Sequence, residues 1–78
     1  MHPNPTPVDW AAQRAIYALA MAAYPKVRTI PELAREIGSR RLTKRAVAAL
    51  VEGDILEQRE TAYVATKTAI RCYRLDSW

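Results

Sequence analysis

The feature that most constrains this chain is a pair of helix signals with almost nothing between them. "TIPELAREIG", residues 29–38, runs directly into "SRRLTKRAVAALVEGDIL", residues 39–56. Thr29 and Glu32 have capping-box spacing, and Pro31 falls in the first turn, where no intrahelical donor is needed. Ile30, Leu33, Ala34 and Ile37 follow i, i+3, i+4, i+7, which gives this helix one buried stripe. Gly38 suits a left-handed C-terminal cap, and Ser39 can cap the next helix at once. The pattern therefore predicts two helices joined by a very tight turn.

The second of these helices divides cleanly when its residues are counted round at about 100° each. Leu42, Ala46, Ala49, Leu50 and, near the edge, Val47 share one arc. Arg40, Arg41, Lys44, Arg45 and Ala48 share the opposite one. The helix is expected to end near Gly53, where "EGD" breaks the pattern. The chain carries 12 Lys and Arg against 8 Asp and Glu, a formal net charge of +4. Setting those four cations aside leaves equal numbers of bases and acids, so the whole excess lies in one short segment. A localised basic patch of this kind is the footprint of a polyanion partner, with a solvated helix face as the bland alternative.

At 78 residues, half of them hydrophobic, the chain is expected to form one small domain near the lower size limit for a self-sufficient core. Residues 1–7, "MHPNPTP", read as a flexible Pro-rich arm. Thr6-Pro7-Val8-Asp9 then reads as a helix start, with Thr6 as N-cap, and a first helix is expected to about Tyr24. It places Ile16, Leu19 and Ala23 on one side and Trp10, Gln13, Tyr17 and Tyr24 on another. "KVRT", residues 26–29, is a short extended segment. After Gly53, "ILEQR" and "AIRCYRL" both read as strands of a hairpin. Its turn falls near Thr66-Lys67-Thr68 or as early as Glu60-Thr61. The domain is expected over 8–75, with a tail at 76–78. The fold class is mainly α with a small β-hairpin, an α+β arrangement of three helices plus a C-terminal hairpin.

With its quoted segments in that order, the sequence resembles the winged helix-turn-helix proteins, particularly bacterial, phage or plasmid regulators. In that pattern a Thr-initiated helix with "ELA" leads through a glycine to a Ser-Arg-rich recognition helix ending in "L-x-x-G-x-hydrophobic". The resemblance covers residues 27–60 closely and the rest by element order. Two departures are visible: no apolar residue stands between Gly38 and Ser39, and the β-wing lacks the glycine or proline tip that many members carry.

The resemblance implies double-stranded DNA binding, with helix 39–52 in the major groove and the hairpin touching an adjacent groove or backbone. A major groove about 12 Å wide admits one helix. Arg40, Arg41 and Arg45 are then candidates for base or phosphate contacts and Lys44 for phosphate, because arginine's planar fork matches guanine O6 and N7 while lysine acts as a point charge. Thr43, by its hydroxyl, and Ser39, by its backbone amide, are candidates for phosphate contacts near the helix N-terminus. Lys26 and Arg28, and Lys67, Arg71 and Arg74 from the expected hairpin, are weaker candidates for backbone contacts. Glu52, Asp54, Glu57 and Glu60 are expected to face away from DNA.

The most economical function is a small sequence-specific transcriptional regulator. The alternative is a winged-helix protein-interaction module, such as a phage-encoded inhibitor of a host protein. Trp10, Tyr17 and Trp78 point to a homodimer through helix one, which would read half-sites about 34 Å apart. Nothing suggests an enzyme. His2 is the lone histidine and Cys72 the lone cysteine, and Cys72 is expected to be a small buried hydrophobe in a strand. There is no metal-ligand spacing, glycine-rich phosphate loop or nucleophile motif, so no cofactor, metal or small-molecule ligand is expected. No apolar run approaches the roughly 20 residues a bilayer crossing needs. With no signal-peptide pattern before the first apolar run, a cytoplasmic location is expected.

Overall fold

Small residues at helical spacing let the first helix approach its neighbours closely. In the computed structural model, which describes residues 7–76 and side chains as far as Cys72, α1 (Pro7–Ala23) buries Ala12, Ile16, Ala20 and Met21. The stripe therefore runs through alanines rather than through Leu19 and Ala23, which stay half-buried. Ile16 is 0% exposed at its centre. Pro7 is the first helical residue, as the Thr6-Pro7 helix start predicts, so it belongs to α1 and not to the arm. Thr6, His2 and Trp78 lie outside the described residues.

The two adjoining helices form as their local signals dictate. Strand β1 (Arg28–Thr29) leads into α2 (Ile30–Ile37), whose N-cap is Thr29. The Glu32 amide donates to Thr29 Oγ1 at 3.4 Å, and the Thr29 amide donates back to Glu32 Oε1 at 3.0 Å. These bonds from Thr29, with Arg28 beside them, hold the Glu32 carboxyl below its ordinary value. Gly38 ends α2 at φ 85°, in the left-handed region that favours glycine, and its amide donates to Ala34 O at 2.7 Å. Ser39 then caps α3 (Arg40–Glu52), accepting from the Leu42 amide at 3.2 Å.

The C-terminal third departs from expectation. Strand β2 (Leu56–Arg59) pairs antiparallel with β3 (Ala62–Ala65), Arg59 opposite Ala62, so the turn is Glu60-Thr61, the earlier of the two expected sites. Glu60 takes φ 59° without being glycine, and the Gln58 side chain donates to its carbonyl at 3.0 Å. "AIRCYRL" is not a strand. It belongs to a fourth helix, α4 (Lys67–Asp76). Ala69 is buried, Ile70 half-buried, and Arg71 and Cys72 are both exposed, which no two-residue alternation produces. Thr66 starts α4 by accepting from the Ala69 amide at 3.1 Å while its hydroxyl donates to Asp54 O at 2.7 Å. Cys72 is thus an exposed helical residue, not a buried strand residue.

The described chain is mainly helical with one three-stranded antiparallel sheet of order β1-β3-β2. The core joins Ala12, Ile16 and Ala20 of α1 to Leu33 of α2, Ala46, Val47 and Leu50 of α3, Leu56 of β2, Ala65 of β3 and Ala69 of α4. Helix α1 packs most extensively on α3, and α2 packs on α3 from another side. The third helix is therefore clamped along its inner face, with its remaining face left to solvent. No helix of the described residues is long and apolar enough to cross a membrane.

Candidate functional site

The inner face of α3 fixes what its outer face presents. Ala46, Val47, Leu50 and Thr43 are buried, and Leu42 and Ala49 are half-buried. Arg40, Arg41, Lys44, Arg45 and Ala48 are exposed. The four cations line one shallow concavity of about 470 Å³. Arg40, Arg41 and Lys44 have no acidic partner within ion-pairing distance among the described residues. Three open like charges within two turns of helix attract a polyanion and repel one another.

Arg45 differs from its neighbours. Its Nη2 donates to Asp9 Oδ2 at 3.3 Å, joining α3 to the first turn of α1 across 36 residues of sequence. The Asp9 side chain is only 8% exposed, whereas that of Arg45 is 47% exposed. Periodicity along α3 carries no sign of this pair, because its acid lies on another element. The nearest sequence signal is Asp9 itself, an acid in the first turn of a helix, where the macrodipole already favours it.

Thr43 is engaged inside the fold, while at Ser39 it is the hydroxyl, not the amide expected to meet phosphate, that is taken up. Thr43 is 0% exposed, and its hydroxyl donates to Ser39 O at 2.7 Å, so it does not face a phosphate beside the cations. The reason is angular: at about 100° per residue Thr43 falls between Leu50 and Val47, inside the buried arc. Ser39 is half-buried, with its hydroxyl occupied as the α3 cap.

The outlying bases do not join the α3 concavity. Lys26 is exposed before β1. Arg28 is paired with Glu32 at 3.3 Å. Lys67 begins α4 rather than a hairpin strand and lines a polar groove with Asp54, Glu57 and Arg59. Arg71 lies on α4, as does the backbone of Arg74, so the hairpin carries neither. What the hairpin does carry is Glu57, Arg59 and Glu60, all exposed, with Arg59 paired to Glu57 at 3.3 Å. Glu57 lies on β2 and Glu60 at the hairpin tip.

Two grooves flank α3. One, of about 480 Å³, lies between α3 and the sheet, with Ile30, Val47, Val51 and Tyr63 forming its apolar floor and Lys44, Glu52 and Gln58 also lining it. The other, of about 580 Å³, is lined by Pro7, Trp10, Ala11, Gln13, Arg14 and Tyr17 of α1 with Leu50 and Ile55. Trp10 is 58% exposed there. Among the described residues no group of three or more His, Cys, Asp or Glu is placed to hold a metal ion. The chain matches no family model, no curated protein and no solved structure.

Proposed function

We propose that the chain is a winged helix-turn-helix protein that binds double-stranded DNA sequence-specifically, as a small transcriptional regulator, through the outer face of α3. The observation that carries this reading is the set of open cations Arg40, Arg41 and Lys44 on a helix whose opposite face is locked in the core. The element order supports it as well: three helices precede the β2-β3 hairpin, and β1 adds to the hairpin as a third strand. A helix with its side chains is about 10–12 Å across, which matches the major groove. In that groove the arginines reach guanine edges or phosphates and Lys44 meets phosphate. The hairpin, self-neutralised by its Glu57–Arg59 pair and tipped by Glu60, adds no net positive charge. The α3 face then carries the electrostatic attraction.

The test is duplex binding as a function of salt. Each phosphate neutralised contributes about −0.9 to the slope of log K against log salt, so three engaged cations give a slope of about −2.7. No binding to any duplex at about 50 mM salt would end this reading. Selection from a random duplex pool, repeated with Arg41→Glu, then separates base readout from phosphate attraction: an enriched motif lost in the variant is the expected result.

Exposed Trp10 beside its apolar groove favours a second reading, a protein-docking module or a homodimer built on α1. Light scattering that gave a strict monomer at high concentration would remove the homodimer without touching the DNA reading.

A further inference from the structure

The four cations of α3 are not equivalent, and the difference lies in Asp9. Among the described residues three ion pairs occur. Arg28–Glu32 and Arg59–Glu57 join near neighbours in sequence, with every side chain about half exposed or more. Asp9–Arg45 alone joins two helices, and it alone has a buried member. A buried carboxylate is costly without a compensating cation, so Arg45 is held where Asp9 needs it. The pair is also electrically close to neutral, a dipole where its neighbours Arg41 and Lys44 are unpaired charges. Counterions condensed on DNA are released by net positive charge, not by the count of basic residues.

We propose that Asp9 acts as a positioning residue that latches Arg45 out of the polyanion-binding set, leaving Arg40, Arg41 and Lys44 as the contact charges and closing the contact face on its α1 side. This inference rests on the DNA-binding reading and refines it. Arg45 becomes a strut between α1 and α3, and the footprint shifts toward the N-terminal turn of α3 and the groove that Lys44 shares with the sheet. The latch also gives the face a latent fourth charge, which removing the Asp9 carboxylate by substitution uncovers.

The experiment measures the salt dependence of binding to a mixed-sequence 20-base-pair duplex for the full chain and three variants, with circular dichroism confirming that each is folded. Lys44→Gln is expected to make the slope shallower by about 0.9, one phosphate's worth. Asp9→Asn/Arg45→Gln, which removes the neutral pair as a whole, is expected to leave the slope within error of the parent. Asp9→Asn, by freeing Arg45, is expected to make it steeper by about 0.9. A purely structural role for Asp9 changes stability but not the slope. If Asp9→Asn/Arg45→Gln loses as much slope as Lys44→Gln, the latch is wrong and the DNA reading stands. If the parent binds no duplex, both fall. Should Asp9→Asn fail to fold, the contrast between Asp9→Asn/Arg45→Gln, which leaves no unpaired charge, and Lys44→Gln decides the question by itself.

Discussion

Helix α3 and the β2-β3 hairpin are both exposed and both charged, yet they are built for opposite electrostatic ends. On α3, Arg40, Arg41 and Lys44 stand open on a helix pinned from behind by Ala46, Val47 and Leu50. On the hairpin, Arg59 is matched by Glu57 two residues away, and Glu60 occupies the tip. The lesson is that a count of bases says little about a binding surface. What matters is which bases lack a partner and which are held rigidly by the core.

The largest expected effect removes that anchor. Leu50→Ala takes a buried side chain from beneath α3 and is expected to destabilise the fold by about 2–5 kcal/mol in chemical denaturation. A cost below about 1 kcal/mol would mean that the α3 face is not held by its packing as described. Next comes the open face itself. Arg41→Ala is expected to weaken duplex binding by about 1–3 kcal/mol with little change in stability. An equal loss from Arg59→Ala on the hairpin would erase the contrast between the two regions.

A smaller effect concerns how the two helices are set. Thr29→Ala removes the α2 N-cap and is expected to cost about 1 kcal/mol of stability. It also carries a pH signature. Because the cap holds the Glu32 carboxyl below its ordinary value of 4.5, its contribution is fully present above that value and is lost as pH falls through the lowered one. Thr29→Ala keeps the backbone amide that lowers Glu32 most and should flatten this part of the acid-stability profile only in part, whereas Glu32→Gln should remove it. A Glu32→Gln profile identical to the parent's would contradict the capping account. Smallest of all is Arg59→Gln. Breaking an exposed pair on the hairpin should change stability by no more than about 1 kcal/mol.

The sequence was legible where structure depends on neighbours a few residues apart. Thr29, Glu32, Gly38 and Ser39 each act within one turn, and the helices they bound lie where their spacing puts them. It was opaque where residues take unusual roles. Glu60 turns the hairpin and Asp54 closes the α3-β2 corner, both with positive φ, where glycine would have flagged the turn. Ile70, Cys72 and Tyr73 suggested a strand by composition, but Thr66 caps a helix there, and Ala69 is drawn into the core. At the candidate site, periodicity separated Arg40, Arg41, Lys44 and Arg45 from the buried arc. Thr43 lies within the apolar arc, and its nearness to the helix N-terminus does not bring its hydroxyl to the open face. Periodicity had no access to Asp9, which meets Arg45 only through the tertiary packing of α1 on α3.

The most direct test of the central claim is amide chemical-shift mapping of the isotopically labelled chain as a mixed-sequence duplex is added at about 50 mM salt. The account predicts the largest shifts over Ser39–Lys44, with Glu57–Thr61 of the hairpin nearly unmoved. Shifts centred on the hairpin or α4, or no shifts at all, would contradict it.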